Sequence, residues 1–428
     1  MNGDADYVPT NLAEAPLKGR HVLIIGAIRQ CHKRLTAIGA RVSLLMPKSR
    51  ALTKDLAGPY RHILIHDDEL DDASITAMAT GLHSADKFDF VISFVDRTQV
   101  LANSIATKLG LPVVIESELV ELTRNKLATR QRLQTHSLRS CRFGVASTAR
   151  ELEQAVEAVG LPCVVKPVSG EGSRDVRKLR DAAEVAACAA ELGDCAGDET
   201  MLVEQFLEGD EYSIEAISIA GQHQFVAVTR KYKDQSNFVE RGHAVPAPLE
   251  DRGREIILRY VADVLTAFGF QDGPSHTEVI VTTEGPCLVE THTRLGGDRI
   301  ADLVELVTGI DLYDVYARQM VQLPVDRMAN RSPRAGAAAV WYLHERSLDR
   351  QVIAEVRGVE EAMRCPHVHQ VGMLKTPGER GGEVTASADR SAFVVATGHD
   401  VDNAVAAARY AAARIQLLYR FDGGEDVD

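Results

Sequence analysis

The sequence predicts an α/β protein, and three observations support this. From residue 21 to about residue 115, β-rich apolar runs alternate with helical segments, which is typical of βαβ units around a parallel sheet. The 428 residues include 45% hydrophobic and 25% charged residues, an ordinary globular composition that excludes collagen, coiled coils and wholesale disorder. At roughly 100–200 residues per domain, this length predicts two to four domains.

The N-terminal part is predicted to be a small doubly wound domain over residues 15–115. Its strands are expected at His21–Ile25, Arg41–Met46, Ile63–Ile65 and Asp89–Phe94, followed by a helix from Gln99 to Leu109. A nicotinamide site is not expected there. The dinucleotide fingerprint needs three spaced glycines and an acid after the second strand, but only Gly26 is present and Pro47-Lys48 offers no acid.

Helices and strands continue to alternate beyond this region. Thr148 is a suitable N-cap for a helix that runs to Val159. The other predicted elements are a basic helix over 121–139, a strand at Cys163–Pro167, a glycine-containing loop over 169–174, a helix over 181–192, strands over 200–206 and 212–217, loops over 320–336 and 375–383, and an α/β cap over 337–420 with a strand at 338–342 and a helix at 403–416.

Charge and cysteine content exclude several classes of protein. The chain has 48 basic and 61 acidic residues, a net charge of −13, and the acids are dispersed. This balance argues against binding to nucleic acid or to anionic membranes. The seven cysteines are scattered without a C-x-x-C motif, so we expect reduced thiols in a cytoplasmic protein. No signal peptide and no transmembrane helix are expected, because apolar runs of the required length are absent.

The residues that suggest chemistry lie in a predicted hairpin around Thr283–Pro286. With the turn centred near Glu284, Glu278 faces Glu290 and Ile280 faces Leu288. The same face then carries His276 and His292, with Arg294 farther along. Opposed like charges are unfavourable on a sheet unless a hard dication such as Mg²⁺ lies between them. The hairpin alone leaves a second interpretation open, which is a solvated face with unpaired glutamates.

Upstream residues favour the metal interpretation. Lys166 ends an apolar strand just before the Ser169–Arg174 loop. Taken singly, Lys166 could be a strand-end lysine that reaches water, and the loop, which lacks Walker spacing, could be a plain turn. Phosphate chemistry needs flexible backbone donors, a lysine and a metal together, and all three occur here within one stretch. The sequence therefore predicts a nucleotide phosphate site.

The order of these motifs resembles the ATP-grasp superfamily over nearly the whole chain. The matching residues are Lys126, Lys166-Pro167, Gly170, Gly172, the Val203–Gly209 segment, Glu278, Glu290, His292 and Arg294. The resemblance implies an ATP-grasp fold with three parts. They are a Rossmann-like pre-ATP-grasp domain over 1–118, a central lid subdomain over 119–205, and a C-terminal α+β catalytic domain over 206–428 whose cap begins near 337.

The resemblance also implies roles for individual residues. Lys126 and Lys166 would contact the phosphates of ATP, and Arg294 would brace an acyl phosphate. The remaining implied contacts are the closing loop (Ser169, Gly170, Gly172, Ser173), the adenine amino group (Glu204), the adenine edge (backbone of Gln205, Phe206, Leu207), the ribose (Glu211), and Mg²⁺ or Mn²⁺ (Glu278, Glu290). The family usually has asparagine at the position of His292. Imidazole is a poorer ligand for Mg²⁺, so His292 is either a metal ligand or a supporting or substrate-contacting group.

A further segment, Phe238–Pro248, resembles the F-x-E-x-G-H-x-x-P-A motif of bacterial L-amino acid ligases, the dipeptide synthetases of the alanine–anticapsin ligase type. This resemblance implies that Glu240 recognises an α-ammonium group and that His243 orients or deprotonates the amine nucleophile. Arg294 and Gly296 would also contact substrate, and His276 would support the metal glutamates. An exposed loop pair is the alternative interpretation for Glu240 and His243.

Together these resemblances imply an ATP-dependent carboxylate–amine ligase. It would join an amino acid, or a similar carboxylate, to an amine through an acyl phosphate, and it would release ADP and phosphate. Lys166, His243 and Arg294 would be the catalytic residues. Small molecules are the expected partners, with a homodimer as the default assembly. Two alternatives remain: another ATP-grasp enzyme of the purine-pathway or biotin-dependent carboxylase type, and a non-catalytic ATP-binding module.

Overall fold

The structure is a computed structural model that describes residues 15–170, 175–192, 200–234, 236–325, 332–345 and 351–421. The helices are α1 Arg29–Ala37, α2 Thr53–Leu56, α3 Asp72–Ala85, α4 Asp96–Lys108, α5 Ser117–Arg124, α6 Lys126–Thr135, α7 Ala149–Val159, α8 Ala182–Leu192, α9 Asp251–Phe268, α10 Ile300–Thr308, α11 Leu312–Met320, α12 Val359–Met363 and α13 Val401–Ala412.

The strands form four sheets. They are β1 His21–Ile25, β2 Arg41–Pro47, β3 Tyr60–His66, β4 Phe90–Ile92, β5 Phe143–Ala146, β6 Cys163–Pro167, β7 Arg177–Leu179, β8 Met201–Gln205, β9 Asp210–Ile219, β10 Gln222–Lys233, β11 Glu240–Val245, β12 Gly273–Thr282, β13 Gly285–His292, β14 Ala337–Leu343, β15 Gln351–Arg357, β16 Val368–Met373, β17 Ala392–Gly398 and β18 Gln416–Phe421.

The N-terminal region is a parallel sheet in the order β3-β2-β1-β4, as the alternating pattern predicts. All five residues of β1 are buried, because helices cover both faces of a parallel sheet. Helix α1 joins this region to the rest of the chain by packing against α11. There, Nε of Arg34 lies 2.7 Å from Oδ2 of Asp311.

The central region carries its own antiparallel sheet, in the order β5-β8-β6-β7, with a separate apolar core under α7 and α8. Thr148 caps α7 as predicted, by accepting a hydrogen bond from the backbone N–H of Glu151. The prediction of one helix over 121–139 is wrong. Two helices meet at Asn125, whose side chain caps α6 by accepting from Ala128 N–H, a role that asparagine fills better than a helix interior position.

The largest sheet has eight antiparallel strands in the order β13-β12-β9-β10-β11-β14-β17-β16. The predicted strand at 338–342 is β14, which pairs with β11, so this part of the cap region extends the eight-stranded sheet. The helix predicted to reach Gln416 ends at Ala412, because Gln416 begins strand β18 instead. In the described part of the chain, no helix combines the length and hydropathy that crossing a bilayer requires.

Candidate active site

Strands β12 and β13 bring the two predicted metal glutamates together. Glu278 pairs with Glu290 and His276 pairs with His292, as the sequence predicts. The predicted pairing of Ile280 with Leu288 is wrong, because a β-bulge after Glu278 shifts the register and places Ile280 opposite Cys287. Such a bulge inserts one extra residue and re-aims the side chains beside it. The bulge therefore separates the carboxylate end of the hairpin from its regular turn end.

A histidine side chain lies beside each of the two glutamates, Glu278 and Glu290. His276 Nε2 lies 3.1 Å from Glu278 Oε1, and its Nδ1 lies 2.8 Å from Glu215 Oε1. Burial opposes protonation of His276, but the two carboxylates outweigh it and raise the pKa of His276 to about 9. The imidazole ring of His276 thus links Glu278 to a second buried carboxylate, which supports its predicted role beside the metal glutamates.

His292 is placed in the same way on the other strand. Its Nε2 lies 3.2 Å from Glu290 Oε1, and its Nδ1 lies 3.1 Å from Asp96 Oδ2. The two imidazole rings stack with their centroids 6.2 Å apart. Because carboxylates occupy both ring nitrogens of His292, the structure favours a supporting role over direct metal ligation for this residue.

A buried lysine lies at the centre of the carboxylates on the Glu278 side. Lys231 Nζ contacts Glu278 Oε1, lies 3.0 Å from Glu211 Oε1 and 3.5 Å from Glu240 Oε1. Burial lowers the pKa of Lys231, but the three carboxylates outweigh it and raise that pKa well above its usual value. Glu211, predicted to contact ribose, is also 2.6 Å from Lys233 Nζ, so its carboxylate is held within this cluster.

Lys126 and Lys166 line the same cleft as Glu278 and Glu290. Lys126 Nζ donates to the carbonyl oxygen of Gly170 at 2.8 Å, which ties α6 to the start of the predicted closing loop. Burial lowers the pKa of Lys126, an effect that nearby Glu290 partly offsets. The two lysines and the two glutamates are therefore brought together as predicted.

Glu204 is predicted to contact the adenine amino group, but in the structure its carboxylate is paired with two cations. Its Oε1 accepts from Arg130 Nε and its Oε2 lies near Lys166 Nζ, both at 2.6 Å. Both carboxylate oxygens are thus engaged by cations, and the contact with an adenine amino group stays a prediction. Gln205, Phe206 and Leu207 follow Glu204 along one wall of the cleft. Their position agrees with a slot for a planar base.

The predicted closing loop is described only in part. Ser169 and Gly170 line a second, wider cleft beside the first, whereas Gly172 and Ser173 lie outside the described residues. The second cleft also contains Glu290, His292 and Arg294. Lys126, Gly170 and Glu290 line both clefts, so the two meet at the carboxylate end of the hairpin.

Arg294 is joined to the N-terminal region. Its Nε donates to Asp96 Oδ2 at 3.0 Å, and its Nη1 donates to the carbonyl oxygen of Leu295 at 3.0 Å. Burial raises the pKa of Asp96, but His292 and Arg294 outweigh it and hold that pKa well below its usual value. A buried carboxylate from α4 therefore contacts the arginine that the motif singles out.

Glu240 and His243 lie on strand β11, which corrects the interpretation as an exposed loop pair. Glu240 lines the first cleft, and its Oε2 accepts from Ser387 Oγ at 2.8 Å. His243 is only 2% exposed, and its Nε2 lies 3.0 Å from Asp298 Oδ2. Arg390 contacts both oxygens of Asp298. The proton-transfer role predicted for His243 thus gains no support, since its ring is buried beneath the site.

Gly296 packs against the histidine network. A Cβ atom at this position would lie 2.8 Å from His276 Nδ1 and 3.0 Å from Glu215 Oε2. The structure therefore gives Gly296 a packing role behind Glu278, while its predicted substrate contact remains a prediction.

The two glutamates could hold a hard dication only if a bound nucleotide and water completed its coordination. Among the described residues, no group of three or more His, Cys, Asp or Glu side chains forms a ready metal site. Mg²⁺ commonly takes one or two carboxylates and completes its coordination with phosphate oxygens and water. Glu278 and Glu290 supply two such carboxylates beside lysines suited to phosphate, so the residues present fit magnesium bound with a nucleotide.

Sequence reasoning missed three buried residues of this site. Arg130 lies one helical turn after Lys126 on α6, and this spacing could have placed both cations on one face. Lys231 lies in an alternating strand, which by itself does not reveal which neighbours it meets. Asp96 is 196 residues from His292, and no local pattern connects the two.

Comparison with known proteins finds two matching domains and one shared fold. The model of the ATP-grasp domain matches residues 159–302, and the model of the L-amino acid ligase C-terminal domain 2 matches residues 351–420. The crystal structure of an L-amino acid ligase from Bacillus licheniformis superposes with a TM-score of 0.80 at 20% identity, covering 94% of this chain and 99% of that one. Residues 159–302 thus match an ATP-grasp domain, and the chain has the fold of that ligase. This confirms the predicted fold.

Curated relatives match a smaller part of this chain than that structure does. Protein y4rH of Sinorhizobium fredii is 32% identical over 66% of this chain and 58% of its own length. The L-arginine-specific L-amino acid ligase of Bacillus subtilis is 23% identical over 59% of this chain and 62% of its own length. The chain thus spans about three fifths of the length of these relatives. Purine-pathway enzymes also occur among the similar proteins.

Proposed function

We propose that this protein is an ATP-dependent carboxylate–amine ligase that joins an amino acid, or a similar carboxylate, to the amine of a second amino acid. One observation carries the proposal. Glu278 and Glu290 face each other at the rim of a cleft that also holds Lys126 and Lys166, and Arg294 lines the adjoining cleft. The match to an L-amino acid ligase C-terminal domain over residues 351–420 supports the choice of substrates.

The chemistry follows from the poor reactivity of a carboxylate as an electrophile. Transfer of the γ-phosphoryl group of ATP to the carboxylate gives an acyl phosphate, and an attacking amine then displaces phosphate. Glu278 and Glu290 would hold Mg²⁺, or Mn²⁺ in its place, and the ion would supply positive charge against the phosphates. Lys126 and Lys166 position the phosphates, and Arg294 presents a planar guanidinium to the acyl phosphate and the intermediate that follows.

The protein must also keep water away from the acyl phosphate, which would otherwise hydrolyse. The proposed closing loop begins at Ser169, where the Gly170 carbonyl already accepts from Lys126. On the substrate side, the Glu240 carboxylate faces the first cleft and suits an α-ammonium group. We further propose a cytoplasmic enzyme that acts on small molecules, with a homodimer as its assembly.

Product analysis tests this proposal. Pairs of amino acids are incubated with Mg²⁺ and ATP, phosphate release is measured, and products are identified by mass spectrometry. The expected result is ADP, phosphate and a dipeptide or amide in equal amounts. Release of AMP and pyrophosphate would rule out the acyl-phosphate route.

A purine-pathway or carboxylase activity is the second candidate, because such enzymes occur among the similar proteins. It predicts ADP release that depends on bicarbonate or on a phosphoribosyl substrate instead of on amino acids. A non-catalytic ATP-binding module predicts ATP binding without phosphate release under any of these conditions.

A further inference from the structure

Helix α4 of the N-terminal region meets the strand end that carries the active-site residues. Asp96 and Gln99 are three residues apart, so they share one face of the helix. They contact three consecutive residues at the end of β13, which are its last residue His292 and the two that follow it, Thr293 and Arg294. Asp96, Gln99 and Thr293 are each at most 2% exposed, so these contacts are removed from competing water.

The contacts divide between the two helix residues. His292 and Arg294 both point to Asp96, whose Oδ2 lies 3.1 Å from His292 Nδ1 and accepts from Arg294 Nε at 3.0 Å. Thr293, between them, is held by Gln99 instead. Gln99 Nε2 donates to the Thr293 carbonyl at 2.9 Å, and Thr293 Oγ1 donates to Gln99 Oε1 at 2.6 Å.

Asp96 therefore links two groups that the proposed reaction needs in fixed relative positions. Through His292 it reaches Glu290, and directly it reaches the Arg294 guanidinium. A guanidinium bound through Nε keeps its planar fork oriented, and a carboxylate bound through a histidine keeps its rotamer. We propose that Asp96 and Gln99 are positioning residues that set the geometry between Glu290 and Arg294. The N-terminal region thereby completes the active site.

The inference rests on the proposed ligase function for its kinetic test, in which Asp96→Asn is compared with wild type. The asparagine is isosteric but uncharged, so it holds His292 and Arg294 less firmly. Misplacing a catalytic group by about 1 Å can cost about 10²-fold in rate. We expect kcat for amino-acid-dependent phosphate release to fall about 10²-fold. The KM for ATP should change less than kcat, because Lys126 and Lys166, the proposed phosphate contacts, are not held by Asp96.

Arg34→Gln is the matched control. It removes a different contact between the same two regions, the ion pair with Asp311, the N-cap residue of α11. Its kcat should stay within about twofold of wild type. A loss in Asp96→Asn that Arg34→Gln shares would reflect general loosening between the regions and would overturn the positioning role.

A second measurement does not depend on knowing the substrates. Hydrogen–deuterium exchange of a peptide spanning residues 288–298 should be faster in Asp96→Asn than in wild type and unchanged in Arg34→Gln. If wild type shows no phosphate release with any amino acid, the proposed function fails, yet this exchange test still decides the role of Asp96. Unchanged exchange, or a raised KM for the amino acid with normal kcat, would show that Asp96 acts otherwise and would overturn the proposal.

Thr293→Val provides a second variant should Asp96→Asn fold poorly. Valine keeps the shape of threonine but removes the hydroxyl that donates to Gln99. We expect a smaller loss of kcat, about tenfold, with faster exchange over the same peptide. Normal kcat together with normal exchange in this variant would contradict the role of Gln99.

Discussion

The two facing glutamates are held in contrasting ways. Glu278 is supported by its own sheet, since His276 and Glu215 lie on β12 and β9 and Lys231 lies on β10. Glu290 depends on distant segments, because His292 is anchored by Asp96 of α4 and the nearby cation Lys126 begins α6. One half of the proposed metal site is therefore built within a single sheet. The other half forms only when the N-terminal region packs against that sheet.

Because of this difference, we expect the Glu278 half of the site to contribute more to stability and the Glu290 half to be easier to displace. The Glu278 half contains more buried charge, so its integrity affects the stability of the large sheet. The Glu290 half crosses an interface between regions of the chain, and relative motion across such interfaces is the usual expectation unless they are extensive. Substitutions in the first half should therefore lower stability, whereas substitutions in the second should chiefly lower turnover.

The largest expected effect is on turnover when either glutamate loses its charge. Glu278→Gln and Glu290→Gln should each lower kcat by at least about 10²–10³-fold, because both carboxylates are assigned to the metal. The two variants should differ in one respect. Only Glu290→Gln should speed hydrogen exchange around Asp96, which its histidine contacts.

Glu284→Gln is the control for this pair. Glu284 lies in the exposed turn of the same hairpin, and its carboxylate pairs with Arg139. It should keep wild-type turnover, as measured by phosphate release. Equal exchange near Asp96 in Glu278→Gln and Glu290→Gln would show that the two halves are not independent, and the contrast would then be wrong.

The next effect is on stability and involves Lys231. Lys231→Met leaves Glu211, Glu240 and Glu278 close together without the buried cation that lies among them. Removing one partner from a buried charge cluster costs about 3–5 kcal/mol, so the free energy of unfolding should fall by that amount in urea titrations. Lys233→Met is the control, because Lys233 is partly exposed and contacts only Glu211 in the cluster. If both variants lose a similar amount of unfolding free energy, Lys231 does not neutralise the three carboxylates as argued.

Much of the Glu278 half was predictable from sequence, because its strand pairing follows from residues that are close together in the chain. Strand alternation and the turn at Thr283–Pro286 sufficed to pair Glu278 with Glu290 and His276 with His292. The bulge that displaces Ile280 was not predictable, because no residue near Val289 marks it. Asn125 did carry a capping signal, but the basic character of the segment around it hid the break between α5 and α6.

The Glu290 half was less accessible to sequence reasoning. Asp96 acts on residues almost 200 positions later, and such a contact follows from how two regions pack, which no local pattern encodes. For His243 the motif suggested a loop residue, whereas the structure places it on β11 between Lys231 and Val340, with its side chain buried.

A smaller effect on stability concerns the packing behind Glu278. Gly296→Ala would place a methyl group 2.8 Å from His276 Nδ1, so a neighbour must shift. Overpacking of this kind usually costs about 1–3 kcal/mol, and thermal unfolding should show a lower Tm. Gly297→Ala is the matched control, because a Cβ there meets no atom within 4 Å. If the two variants have equal Tm values, Gly296 is not constrained by the histidine network.

The smallest expected effect is a pH dependence at Glu204, which belongs to neither half. Burial raises the pKa of Glu204, but Arg130 and Lys166 outweigh it and lower that pKa from 4.5 to about 2. A carboxyl whose pKa is depressed by folding adds stability above its unfolded pKa, and loses it as the pH falls through the folded value. The contribution of Glu204 should therefore be complete above about pH 4.5 and decline towards pH 2. Glu204→Gln lacks this carboxyl, so the difference in urea midpoint between wild type and variant should narrow from pH 5 to pH 3. A constant difference across that range would show that Glu204 is not ionised between Arg130 and Lys166 in the folded protein.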